Sequence, residues 1–305
     1  MPQGWSGLLV GRDRPVARVR ETLDRAAAGR RAVVAVAGES GIGKTELIQA
    51  ATADRPLVAW GTCMEGAGAA GYWAWSRALE QLARQLGTDE ACRLAGDEAP
   101  LLATIVPVFG QPRSGEATAR DRLLLFDAVS RWLDAVATAV PVVVVLDDLQ
   151  WADDSTVALA DFVARSSRPA PVTLIVSYRP DELRRAARAC LAQFATVAEH
   201  IQLGGLDRAA VSSLVATVAG PASPATVDEI YQRGGGHPVF TRELALLGAH
   251  GDAIAIPGAV RDLIDRRIRR LPEPAQRVLE VAALAGNNLH PDVLAAVLRC
   301  VLKGE

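Results

Sequence analysis

The stretch VVAVAGESGIGKTEL, Val33 to Leu47, decides the fold class of this chain. An apolar run ends at Gly38, a glycine-rich turn follows, and a helical pattern opens at Lys44 and Thr45. GESGIGKT fits the pattern GxxxxGK[ST], with Gly38, Gly43, Lys44 and Thr45 at its fixed places. Glycines let a backbone aim several N–H groups into one concavity, and the helix behind presents its positive end to the same anion. In such a turn Lys44 neutralises the β- and γ-phosphates of a nucleotide, and the Thr45 hydroxyl completes a Mg2+ shell. Glu39, Ser40, Gly41 and Ile42 inside the turn, with Glu46 behind it, complete the candidate nucleotide-binding set.

Outward from that turn, strands and helices alternate. RPVARVRETLDRAAAG places Val16, Val19, Leu23 and Ala27 at helical spacing, with Gly29 as a stop. AVVAVAG is a strand, a helix starts at about Lys44, and LVAWGTC is the second strand. A loop over Gly66–Gly71 precedes the amphipathic helix YWAWSRALEQLARQL. Between Gly87 and Ala119 the prolines at 100, 107 and 112 leave room only for short helices and loops. RLLLFDAVSRWLDAVATA is a long helix feeding VVVVLDD, whose unbroken apolar run fits a parallel strand covered on both faces. STVALADFVARSS, PVTLIVSYR, DELRRAARACLAQF and AEHIQL continue as helix, strand, helix, strand. This alternation means βαβ units and a doubly wound parallel sheet. After about Leu206 the strands stop, and DRAAVSSLVATVAG, PATVDEIYQRGG, FTRELALLGAHG and AVRDLIDRRIRRL read as helices. EPAQRVLEVAALAG and PDVLAAVLRC form a final helical pair.

The run VVVVLDDLQWADD ends its strand with Asp147 and Asp148. Carboxylates at the carboxyl edge of a parallel sheet lie near a phosphate loop on a neighbouring strand. Asp147 is the candidate Mg2+ ligand with Thr45, and Asp148 the candidate for orienting or deprotonating an attacking water. Arg179, at the end of the next strand, is placed to reach a γ-phosphate and report its presence. His237 and Pro238, in GGGHPVF, follow a glycine turn in the helical region and are candidates for closing over the nucleotide.

Composition excludes several other classes. Half of the 305 residues are hydrophobic, 22% are charged and the net charge is −2, so no global positive field invites nucleic acid or acidic membranes. The N-terminus lacks the apolar core of a signal peptide, and no apolar run reaches the about 18 residues of a membrane span. Cys63, Cys92, Cys190 and Cys300 form no CxxC pair and read as plain thiols of a reducing cytoplasm. The four histidines have no ligand partner at metal-binding spacing. RDLIDRRIRRL could track phosphates, but a solvated, arginine-rich interdomain helix is the plainer reading. YWAW reads as packing rather than base stacking.

Taken in order, LLVGRDRPVARVRETL, VAVAGESGIGKTEL, VVVVLDDLQWADDSTVALADFV, LIVSYRPDEL and GGGHPVFTREL resemble the STAND class of signal-transduction ATPases. Within that class they are similar to the ATPase modules of large ATP-binding LuxR-type transcriptional regulators. The resemblance implies an α/β P-loop NTPase of AAA-related type, with a five-stranded parallel sheet, a helical lid and the start of a winged-helix domain. Residues 1–205 would be the nucleotide-binding domain, 206–256 the lid, and 257–305 a helical segment with a partial winged helix. Gly11 and Arg12 match the element beside the adenine, Lys44, Thr45, Asp147 and Asp148 the two Walker motifs, Arg179 the sensor, and Pro238 the lid residue that contacts ADP. The family usually carries His where this chain has Gln150 and Asn where it has His237; neither departure falls on a phosphate or metal ligand, and both are discounted.

The implied activity is Mg2+-dependent, slow ATP hydrolysis by a cytoplasmic switch. It would be closed with ADP and self-associate with ATP, with DNA contacted only through domains outside this chain. The chain would then be a truncated or unusually short regulator. The alternative is an AAA-type mechanical ATPase that remodels protein or DNA, which needs a trans-acting arginine finger, and no residue after the acidic strand end stands out as one.

Overall fold

The computed structural model describes residues 9–65, 71–112, 118–194, 197–249, 265, 268–269 and 271–285. Strands β1 (Ala32–Gly38), β2 (Leu57–Thr62), β3 (Val142–Asp147), β4 (Val172–Tyr178) and β5 (Ala198–Leu203) form one parallel sheet in the order β2-β3-β4-β1-β5. The three inner strands are buried on both faces, which is why they read as unbroken apolar runs. Edge strand β5 alternates instead, burying Ile201 and Leu203 while turning His200 and Gln202 outward.

Helices α1 (Asp13–Ala27) and α2 (Lys44–Thr52) cover one face, packing Val19, Leu23, Leu47 and Ile48 against Val34, Val36, Val145 and Ile175. The other face carries α3 (Trp73–Leu86), α4 (Thr88–Ala95), α5 (Ala99–Leu102), α6 (Ala119–Ala137), α7 (Asp154–Ala164) and α8 (Arg185–Phe194). A capping box starts α6: Thr118 accepts from the Asp121 amide while the Asp121 carboxylate accepts from the Thr118 amide. Over the described residues up to 112, the weakly patterned region after Gly87 does consist of short helices and turns. It is a working part of the core, because Phe109 meets Trp132 edge-on at 5.1 Å and the Trp132 indole donates to Ala91 O at 3.1 Å. YWAW is likewise packing: Trp75 is fully buried and donates to Thr156 O, and Tyr72 stands edge-on to Phe126.

Two sequence expectations shift. DELRRAARACLAQF is not helical from its first residue, since Pro180–Glu182 forms a 3-10 turn and α8 starts only at Arg185. Leu183 between them is extended, and the Arg179–Glu182 ion pair closes the turn locally. The helix read as starting at Phe240 starts instead at Pro238, whose fixed φ suits a first helical position.

Beyond the sheet, α9 (Arg208–Ala219), α10 (Pro224–Gly234) and α11 (Pro238–Ala249) enclose their own small core of Leu206, Val211, Leu214, Val215, Val227 and Ile230. Helix α12 (Glu273–Ala285) matches the first of the expected final pair. Its partner at 291–300, most of the arginine-rich stretch and most of the region read as a partial winged helix lie outside the described residues. Among the described residues no single helix is long and apolar enough to cross a membrane.

Candidate functional site

The carboxyl ends of β1, β4 and β3 converge on one edge of the sheet. The expected adjacency of phosphate loop and acidic strand is corrected in one respect: β4 lies between β1 and β3. Residues 177–179 at the end of β4 therefore stand between the two motifs rather than beyond them.

The turn after β1 is held open by Gly41 and Gly43, at φ +74° and +101°, where a side chain would be strained. Lys44, the first residue of α2, is buried, and its Nζ donates to Gly38 O at 3.0 Å and Glu39 O at 2.8 Å. Burial lowers the Lys44 pKa, and the Asp148 carboxylate opposes that shift most strongly. A buried ammonium resting on two carbonyls is a site that an anion would relieve. Thr45 Oγ1 donates to Asp147 Oδ2 at 3.0 Å, and the Ser177 hydroxyl donates to Asp147 Oδ1. Burial raises the Asp147 pKa, and the Asp148 charge pushes the same way against the bonds from Ser177 and Thr45. Hard oxygen donors in this pairing fit a divalent cation such as Mg2+. Among the described residues no group of three or more His, Cys, Asp or Glu is arranged to hold a metal ion. Nucleotide phosphates and water would thus have to fill most of such an ion's shell.

Asp148 follows at φ +59°, an uncommon conformation for a non-glycine residue. Its backbone N–H donates to Ser177 Oγ at 2.9 Å, and its Oδ1 accepts from Gln150 Nε2 at 2.8 Å. The Arg179 guanidinium is turned toward acids: Nη1 donates to both Glu182 carboxylate oxygens at 3.1 Å, and Nε lies 3.9 Å from Asp148 Oδ1.

The helical unit of α9, α10 and α11 reaches the same edge. His237 Nε2 bonds to Ser40 O at 2.9 Å, which requires the ring proton on Nε2 because a carbonyl only accepts. A Cβ on Gly41 would lie 2.9 Å from Val239 and 3.2 Å from the His237 ring, so the loop and the helical unit touch directly. Gly236, at φ +71°, lets the backbone before α11 cross residue 206 closely; its Cβ would fall 2.2 Å from Leu206 O, and its own carbonyl accepts from Leu206 N–H at 2.7 Å. Arg12 is buried beneath this junction, where Nη2 donates to Gly204 O at 2.7 Å and Ile42 O at 3.2 Å. Burial lowers its pKa, opposed by Asp207.

Of the sequence candidates, Ser40, Lys44, Thr45, Asp147, Asp148, Arg179 and His237 come together through these bonds. Gly38 and Glu39 contribute carbonyls, and Ile42 offers its carbonyl to Arg12. Glu46 stands half-buried in the first turn of α2, and Pro238 opens α11. Gly11 precedes Arg12 at φ +67° against α9, where its Cβ would lie 2.4 Å from Ala210 Cβ. Sequence reasoning missed Ser177 and discounted Gln150, which bonds to both Asp148 and Arg179. The signal for Ser177 was a lone serine in an apolar strand, two residues before Arg179. Cys63 and Cys190 are buried with pKa pushed up to about 12, so neither is a thiolate nucleophile.

A family model described as AAA ATPase domain matches residues 8–176, more than half of the chain. The chain belongs to the AAA ATPase domain family. The match spans the phosphate loop and the acidic strand end and stops within β4. Among solved structures, this AAA ATPase domain is similar to the Aeropyrum pernix ORC2 protein in its ADPNP–ADP complexes, at TM-score 0.53 and 15% identity. That alignment covers 94% of this chain and 78% of the other. The ADP form of ORC2 gives 0.50 at 16% identity, covering 98% and 81%. A STAND protein with a tetratricopeptide repeat sensor from Pyrococcus horikoshii gives 0.48 at 16% identity, and the chain spans only 38% of its length. The ORC2 likeness establishes the α/β P-loop NTPase fold. No curated protein matches the chain.

Proposed function

We propose that this AAA ATPase domain is the ATP-binding and ATP-hydrolysing switch of a cytoplasmic regulator. It would alternate between an ADP-bound closed state and an ATP-bound, self-associating state. The observation that carries the proposal is the bond from His237 to Ser40 O. The lid rests on the phosphate loop itself, so β- and γ-phosphates held there alter the contacts that keep the lid in place. A role in transcription rests on the resemblance to LuxR-type regulators. The working division is 1–205 for the nucleotide-binding domain, 206–256 for the lid, and 257–305 for a further helical segment with a partial winged helix.

In this reading Lys44 and the loop amides bind the phosphates, with Gly11, Arg12, His237 and Pro238 closing the site from the lid side. Thr45 and Asp147 would hold Mg2+, which supplies charge neutralisation when bound. Asp148 accepts a proton from water as the water oxygen bonds to the γ-phosphorus. The bond from that phosphorus to its bridging oxygen breaks, and the electron pair leaves with ADP. Arg179 exchanges its carboxylate partners for the γ-phosphate. Those existing ion pairs must break first, which supports slow turnover.

Denaturing the purified protein and chromatographing the released nucleotide tests the closed state. Near-stoichiometric ADP is expected. A site that yields none, together with rapid continuous turnover, would shift the reading to a mechanical AAA-type ATPase.

A further inference from the structure

Arg179 stands where β4 ends, and the three residues after it, Pro180–Glu182, turn back on it. Its Nη1 donates to both oxygens of the Glu182 carboxylate at 3.1 Å, and the two side chains are only 19% and 26% exposed. This ion pair is not the only closure of the turn. Pro180 has its φ fixed by its ring, and the Glu182 N–H already donates to Arg179 O at 3.2 Å. The pair is also poorly matched: one nitrogen serves both oxygens, whereas a guanidinium fork binds best through two parallel N–H groups. Arg179 Nε is buried without a hydrogen-bond partner, 3.9 Å from Asp148 Oδ1. Glu182 belongs electrically to the phosphate site as well. Burial lowers the Lys44 pKa and Asp148 opposes that most; Arg179 adds to the lowering, and Glu182 adds to the opposition.

We propose that Glu182 is a positioning residue that acts through Arg179: it holds the guanidinium off the phosphates until a γ-phosphate displaces it, and so sets how strongly the site prefers ATP to ADP. The inference rests on the reading of Arg179 as the group that meets the γ-phosphate. A terminal phosphate carries more charge than a carboxylate and presents three acceptor oxygens, so it can take several guanidinium N–H groups at once. ADP lacks that group, and with ADP bound Arg179 keeps Glu182. Each ATP that binds must break the ion pair and leave the Glu182 carboxylate facing a like charge. That weakens ATP binding and leaves ADP binding nearly untouched, which is the differential a two-state switch responds to. The same carboxylate thereby favours a resting ADP state.

Calorimetric affinities of the whole chain for ADP and for a non-hydrolysable ATP analogue, both with Mg2+, separate this from a merely structural turn. Glu182→Gln keeps the size of the side chain and removes its charge. It should bind the analogue roughly fivefold tighter than wild type, with ADP affinity within about twofold. Glu182→Ser removes the carboxylate altogether and should show the same selective gain, so either variant decides the question if the other does not fold. In an Arg179→Ala background the gain from Glu182→Gln should vanish. A gain that persists there, an equal shift for both nucleotides, or a wild-type affinity ratio in both variants would overturn the proposal while leaving the ATPase reading intact. An Arg179→Ala protein that keeps the wild-type preference for the analogue would instead remove the role of Arg179 on which the proposal rests.

Discussion

Lys44 and Asp147 show how single side chains here are held at a cost to the fold that a ligand can offset. The Lys44 ammonium is buried on two carbonyls with its pKa depressed by burial. Lys44→Ala should therefore weaken ATP binding by roughly tenfold to a hundredfold, from the about 1.5–3 kcal/mol of a hydrogen bond to a charged group. Calorimetry checks this, and unchanged affinity would take Lys44 out of the phosphate site. Burial raises the Asp147 carboxyl pKa above its unfolded value of 3.8. Between that value and the raised native one, the native state binds more protons than the unfolded state. Stability from this group is then complete below the unfolded pKa and declines as pH rises through the native pKa. Without ligand, Asp147→Asn should melt higher than wild type at neutral pH, with the difference shrinking as pH falls through the carboxylate range. A gap independent of pH would show that Asp147 is not the source. Lys44, Thr45, Asp147 and Asp148 were legible in the sequence because short, fixed spacings encode them. The contacts of Ser177 and of Gln150, which the sequence reading discounted, were not, since they come from β4 lying beside β3.

At the scale of elements, the phosphate loop and α11 form the junction that matters. Pro238 at the start of α11 sets where the helix begins, and His237 just before it reaches Ser40 O. This bond should contribute about 1 kcal/mol to lid closure. His237→Ala is expected to raise the ADP dissociation rate roughly fivefold with little change in the initial binding rate. Stopped-flow displacement of a fluorescent ADP analogue measures both, and an unaltered off-rate would reduce the contact to interhelical packing. The lid helices α9, α10 and α11 were each legible from apolar spacing and from their Gly and Pro boundaries. Their position was not. The bonds that seat them run from the Arg12 guanidinium to Gly204 O and from Leu206 N–H to Gly236 O, and the accepting carbonyls carry no side-chain signature.

At the scale of the whole molecule, nucleotide-dependent self-association is the expected output of lid movement. A near-complete switch needs a preference of about 5.5 kcal/mol for one state. Rearranged contacts at His237, Arg179 and the loop would have to sum to that order. Light scattering on wild-type protein should show a larger species with a non-hydrolysable ATP analogue than with ADP. Equal mass in both states would count against the switch and in favour of a constitutive assembly or a monomeric enzyme.

The sequence by itself determined the alternation of strands and helices, the inner strands' double burial and the phosphate loop. Each of these is a property of residues close together in the chain, where periodicity and glycine placement act directly. Only the tertiary structure decided that β4 enters between β1 and β3 and that Gln150 joins Asp148 to Arg179. It also decided that His237, before α11, bonds to Ser40 O. Those arrangements depend on which strand edges pair and how two cores dock. That choice is made by packing summed over many distant residues, which no local pattern records.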